Sequence, residues 1–205
     1  SGITLKAPAT ASASTTLMQQ GSLTAEQVSQ VLGLPAGVDL LTFNPYAAGV
    51  NAAEALAMEK ASQQIMTVVN AFSASAEGAG ANPVETFNAA LKAVVTVVKS
   101  KAEKLTDATA SAADKTLDLT QTNDLLLIKT QVTTEVASVA GVNQTAFTAM
   151  ANDTATAVGH VNSKIATVTE LNSDASKNIF STAPQLNHFN QISSGVLLNL
   201  LDAGE

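Results

Sequence analysis

Residues 82–105, NPVETFNAALKAVVTVVKSKAEKL, decide the fold. Asn82 can accept the free amides of a first helical turn. Pro83 then takes the first helical position, where its missing N–H costs nothing, and Glu85 brings negative charge to the positive end of the helix dipole. Behind that start, Phe87, Leu91, Val94, Val95, Val98, Ala102 and Leu105 recur at three- and four-residue steps, the spacing of one helix face. Lys99 and Glu103 add an i,i+4 pair worth only roughly 0.3 kcal/mol. A helix with one broad aliphatic stripe must bury it against other helices or a sheet, so the neighbouring segments settle the architecture.

Upstream, Glu77 to Ala81 contains Gly78 and Gly80 and reads as a break between two helices. Before it, from Ala52, the residues Leu56, Ala61, Ile65, Val68, Val69 and Phe72 again follow helical spacing, with Glu59, Lys60, Gln63 and Asn70 elsewhere on the wheel. Further back, Thr24-Ala25-Glu26-Gln27 is a capping box, Val28, Val31 and Leu32 form a short apolar face, and Gly33 and Pro35 stop the helix. The stretch Leu34 to Ala48 is a loop whose Val38, Leu40, Leu41, Phe43 and Tyr46 suit a packed rather than a floppy segment. Residues 3–8 alternate apolar and polar before a proline, as a short strand does, and residues 9–16 are an Ala/Ser/Thr-rich linker or docked extended arm.

Downstream, residues 106–121 are less regular and read as a connection with room for a helical turn. A third long helix is expected over about 123–140, with Leu125, Ile128, Val132, Val136 and Val139 on one face and Gly141 at its end. A fourth is expected over about 144–171, carrying Phe147, Met150, Thr154, Val158, Val161, Ile165 and Val168; Gly159 within it costs about 1 kcal/mol relative to alanine. Residues 173–181 suit a helical turn, and a fifth helix is expected over about 184–201 with Leu186, Phe189, Ile192, Val196, Leu197 and Leu200. No strand-like run of useful length follows residue 8. The expected fold is therefore all-α: a bundle of four to five main helices, with a short N-terminal helix and an extended lead-in. Residues 1–22 would be lead-in or linker, and 23–205 a single helical-bundle domain.

Composition narrows the chemistry. Ten lysines and no arginine face seventeen carboxylates, and there is no cysteine or tryptophan. Disulfide frameworks, zinc–thiolate sites, iron–sulfur clusters and cysteine nucleophiles are excluded. So is the arginine-bearing basic patch of a nucleic-acid binder. The longest apolar runs, Leu125-Leu126-Leu127-Ile128 and Val196-Leu197-Leu198, are core-sized and far short of a membrane span. Amphipathic helices with a neutral-to-acidic polar face are not drawn to anionic lipid, so membrane insertion is not expected. No basic stretch followed by an apolar run marks a signal peptide near residue 1. The acidic, Thr/Ser/Asn-rich composition points to a secreted bacterial protein.

No catalytic motif stands out. The two histidines, His160 and His188, have no second histidine at ligand spacing, and Asp153 is the one carboxylate within two turns of His160 on its helix. Both histidines read as ordinary polar residues. Glu103, Asp107, Asp114 and Asp118 cluster around one connection but lack the alternating ligands and the glycine of a calcium loop, so they read as surface charge. The glycines before Asn82 have no preceding strand and no Lys-Ser/Thr ending, so a helix hairpin explains them better than a phosphate cradle. Asn143-Gln-Thr and Asn152-Asp-Thr match a glycosylation sequon that means little within a helix. No cofactor is expected.

One resemblance goes further than composition. The runs Ala7-Pro8, Thr15-Thr16-Leu17, Leu23-Thr24-Ala25-Glu26-Gln27-Val28, Leu32-Gly33-Leu34-Pro35-Ala36-Gly37-Val38-Asp39-Leu40, Phe43-Asn44-Pro45-Tyr46-Ala47 and Glu54-Ala55-Leu56-Ala57-Met58-Glu59-Lys60-Ala61 resemble helical modules embedded in very large RTX-type, type I secreted bacterial adhesins. The likeness spans about residues 3–72. In such chains a helical module follows a β domain, which would suit residues 3–8, and the family carries its calcium chiefly in β repeats whose motifs are missing here. The resemblance implies a non-enzymatic module of a secreted or cell-surface protein, acting as a spacer or as a unit that binds an extracellular partner, and monomeric within a longer chain. The alternative is a small-ligand-binding helical bundle of a periplasmic sensor, with a pocket drawn from Phe43, Tyr46, His188 and Phe189.

Overall fold

The computed structural model describes residues 13–38, 48–171 and 179. Within them the chain is all-α, with no strand. The elements are α1 (Ala13–Gly21), α2 (Ala25–Leu32), α3 (Ala52–Gly78), α4 (Pro83–Glu103), α5 (Ala112–Lys115), α6 (Thr122–Val136) and α7 (Gln144–Ala166). None of these helices is long and apolar enough to cross a membrane.

Four helices make the body. α3 packs on α4 and α7, and α6 packs on α4 and α7, so the chain visits the four corners of a ring in order. Cross-links fix the directions. Lys60, Gln64 and Ser75 of α3 meet Ala166, Asn162 and Thr154 of α7, numbers running in opposite senses. Lys92 and Lys101 of α4 meet Glu135 and Asp124 of α6 in the same antiparallel way. This is an up-down-up-down bundle closed by a contact between its first and last helices. Its interior is aliphatic, with Phe72 and Phe147 the largest fully buried side chains. Ile65, Val68, Val94, Val98, Ile128, Val132, Val158 and Ile165 fill the space between them.

The helix starts are those the sequence dictates. Gln27 N–H donates to Thr24 Oγ1 (3.1 Å) and Thr24 N–H to Gln27 Oε1 (2.9 Å), so both halves of the capping box form. Asn82 Oδ1 accepts Val84 N–H at 2.9 Å ahead of Pro83, and Asn51 Oδ1 accepts Ala53 N–H and Glu54 N–H. Gly33 closes α2 in the left-handed region at φ 63°.

Several expectations need correction. Residues 13–21, placed in the extended lead-in, are helix α1. Its Leu17 is fully buried, and the helix lies on α3 and α4. Nine residues with no acidic first turn or basic last turn carry little helical preference of their own, so packing stabilises this helix. The third long helix ends at Val136 rather than near 140, and the fourth at Ala166 rather than 171. Val139 and Val168 still pack against the core from beyond those ends. The strand-like residues 3–8 and the fifth helix over 184–201 lie outside the described residues, as do all but residue 179 of the segment 173–181.

α1 and α2 cover the outer side of α4, which explains its unusually wide apolar arc. A side-chain carbon on Gly21 would lie 3.4 Å from Val95 Cγ1 and 2.9 Å from Leu23 Cδ1, so glycine lets the α1 terminus come this close. At the far end the two hairpin tips dock: Asn143 N–H donates to the Ala79 carbonyl at 2.8 Å.

Candidate functional site

The four residues proposed to line a ligand pocket, Phe43, Tyr46, His188 and Phe189, lie outside the described residues. His160 and Asp153 are both exposed on α7. Seven residues of helix rise separate them by about 10 Å, too far to share one metal ion. Among the described residues no group of three or more His, Asp or Glu could hold a metal ion.

The acidic cluster on the α4–α6 connection is built for local structure. Asp107 accepts from the Thr109 N–H (2.8 Å) and hydroxyl (2.7 Å). Asp114 accepts from the Ser111 N–H (2.9 Å) and hydroxyl (2.6 Å), and Ser111 Oγ accepts Asp114 N–H in return, which caps α5. Asp118 repeats the first pattern on Thr120. These are turn-forming side chains that stand in for backbone acceptors. Hydroxyl donation from Thr109, then the Thr109 amide, holds Asp107 below the ordinary carboxylate value, and the Ser111 hydroxyl and amide do the same for Asp114. The carboxylates therefore point into their own turns rather than converging on a common centre.

The other sequence candidates are likewise engaged in structure. Asn143 caps α7 by accepting Ala146 N–H at 3.0 Å, and Asn152 accepts from Lys129 Nζ at 3.1 Å across to α6. The glycine-containing break before α4 carries its own anion. Glu77 Oε1 accepts from Ser73 Oγ at 3.0 Å, and Ser73 pairs with the buried Thr86 hydroxyl in the first turn of α4.

The most concentrated polar chemistry sits elsewhere, where residues 104–121 cross the end of the bundle. Lys101, only 9% exposed, points its Nζ at the Ala113 carbonyl (2.6 Å) and at Asp124 Oδ1 (3.1 Å). The other carboxylate oxygen of Asp124 accepts Asp118 N–H at 2.8 Å. Asn162, fully buried on α7, donates to the Leu119 carbonyl at 2.9 Å. Leu117 N–H donates to the Val31 carbonyl in the last turn of α2 at 2.7 Å. Leu117 and Leu119 are themselves buried. One connection is thus fastened to α2, α4, α6 and α7 at once. Gly159 makes room for α6 beside α7: a side-chain carbon there would meet Leu125 Cδ1 at 3.2 Å, while the Thr120 carbonyl of the connection lies at an ordinary 3.9 Å.

Sequence reasoning missed this node, although two signals were available. Lys101 falls three residues after Val98 and seven after Val94, on the apolar stripe, where an unpaired charge would be costly. Asn162 likewise sits between Val158 and Ile165 on the buried face of α7. A polar residue at a core register calls for a partner, and here the partners come from the irregular connection.

No family model, curated protein or solved structure matches the chain.

Proposed function

We propose that the chain is a non-enzymatic helical module of a secreted or cell-surface bacterial protein of the adhesin type, serving as a spacer or as a unit that binds an extracellular partner. The observation that carries this reading is the disposition of its polar groups. Lys101, Asp124, Asn162, Ser73, Ser75, Thr86 and Thr154 are buried or half-buried, and each is bonded to another element or turn of the bundle, Asn162 through its amide nitrogen while its Oδ1 is buried without a partner. Asp107, Asp114 and Asp118 are bonded within their own turns. Catalysis asks for ionisable groups that converge on a cleft with donors left over for a substrate. A scaffold asks for the opposite arrangement, in which the donors and acceptors close on each other. An acidic, lysine-poor skin suits a surface that stays dispersed outside the cell and meets its partner through shape and neutral polar contacts.

Labelling of intact source cells with antibodies raised against the folded chain tests the placement. Staining of intact cells, or recovery of the chain from the medium, supports the proposal. Staining only after lysis overturns it. A saturable thermal shift of several degrees with a small metabolite would replace it with the sensor reading.

A further inference from the structure

The connection from α4 to α6 is far longer than antiparallel neighbours need. α3 and α4 are joined by residues 79–82, and α6 and α7 by residues 137–143, whereas residues 104–121 separate α4 from α6. Helix connections in bundles usually run about 2–8 residues, and longer ones commonly have a task of their own. We infer that residues 105–121 form a strap that opens and closes as one unit over the end of a bundle that stays folded, with Lys101 as the pin.

Three observations carry this. First, the strap holds itself together. The Asp107–Thr109, Ser111–Asp114 and Asp118–Thr120 turns are internal to it, so it keeps its local shape when it leaves. Second, its hold on the body is narrow. Only Leu117 and Leu119 are buried, while residues 111–114 at its tip are exposed. Few buried apolar contacts and many solvent-facing backbone groups mark the low-stability end of a structure. Third, its attachments are few and grouped. Lys101 Nζ holds the Ala113 carbonyl, Asp124 holds Asp118 N–H, Asn162 holds the Leu119 carbonyl and the Val31 carbonyl holds Leu117 N–H. Lys101 and Asp124 also bind each other, so loss of the lysine weakens two of the four attachments together. Release leaves the Lys101–Asp124 ion pair without its strap partners, and leaves the Asn162 amide with the Gln64 carbonyl alone. It also withdraws two leucines from the core.

Native-state hydrogen exchange on the whole chain, followed residue by residue against urea, tests the strap in the unmodified protein. The amides of Leu117 and Asp118 should share one protection factor, well below those of Val94, Val132 and Val158, and should respond only weakly to urea, because little surface is exposed on opening. In Lys101→Met the strap amides should exchange roughly 10- to 100-fold faster, the worth of a hydrogen bond to a charged group, and the core amides, which exchange through an unfolding that also opens the strap, should lose protection by no more than the same factor. Strap amides that exchange with the urea sensitivity of the core overturn the inference, because the strap then opens only when the bundle unfolds. That result is readable in the unmodified chain even if Lys101→Met does not fold. Strap amides whose exchange is unchanged in a folded Lys101→Met variant also overturn it.

Discussion

The ring of helices closes between α3 and α7, and one buried hydroxyl pair crosses that seam. Ser75 Oγ and Thr154 Oγ1 lie 2.8 Å apart, and both residues are essentially without solvent exposure. Thr154 also reaches the Met150 carbonyl one turn back at 3.0 Å. A hydroxyl donates one proton, so Thr154 gives its proton to Met150 and receives that of Ser75. The two truncations are therefore unequal. Ser75→Ala leaves Thr154 still donating to Met150 and removes one ordinary bond, about 1 kcal/mol. Thr154→Val keeps the volume but strands the buried Ser75 hydroxyl, which costs about 1–3 kcal/mol; the lower part of that range applies if the serine turns to the carbonyl four residues back. With both residues replaced no group is stranded, so the double variant should be more stable than the sum of the singles by about 1 kcal/mol. Urea unfolding followed by far-ultraviolet circular dichroism reads this out. With a slope of about 2 kcal/mol per molar, the singles should shift the midpoint by roughly 0.5–1.5 M without changing the slope. Strict additivity, or Ser75→Ala costing more than Thr154→Val, would refute the assigned bonding.

Further expectations follow from the same packing. Gly141→Ala should cost about 1–3 kcal/mol, because φ is 83° and the new carbon would sit 3.1 Å from the Gly80 carbonyl oxygen, whereas Gly33→Ala meets open space and should cost about 1 kcal/mol; thermal unfolding ranks the two. Phe72→Ala and Phe147→Ala each empty the centre of the core and should cost about 3–5 kcal/mol by urea titration. Asn51→Ala removes an acceptor serving two amides at the start of α3 and should cost about 1 kcal/mol. The carboxyls of Asp107 and Asp114 should titrate below 3.8 in carbon-detected NMR. Their folded values are depressed, so the stability they contribute is present above the unfolded value and is lost as pH falls through the folded ones. A midpoint at or above 3.8 contradicts the turn geometry, and Thr109→Ala should raise that of Asp107.

How much of this was legible in the sequence depends on where each structure gets its stability. The capping box at Thr24 and the Asn82-Pro83 start could be read directly, since both are settled within four residues. The stripes of α3, α4, α6 and α7 could also be read, because helical burial leaves a period. Helix ends could not, and Val168 shows why: it continues the apolar period of α7 and is buried, yet lies past Ala166. Periodicity reports which residues face the core, and a chain can keep facing it after leaving the helix. α1 escaped notice because its helix depends on α3 and α4 rather than on its own nine residues. The strap was unreadable for a related reason. Its turns are short Asp and Ser motifs without a period, and its attachments join Val31, Lys101, Asp124 and Asn162 from four separate stretches of sequence.

The closed ring, on which the up-down-up-down bundle rests, depends on α7 returning beside α3. The sequence has no cysteine, so a single introduced pair reports on that return without interference. Ser75→Cys and Thr154→Cys replace two oxygens 2.8 Å apart. Under mild oxidation of the folded chain the two thiols should form an intramolecular disulfide, seen as a faster band on a non-reducing denaturing gel and as the loss of two titratable thiols. Two thiols that stay free in a variant retaining its helical circular dichroism would contradict the closed bundle.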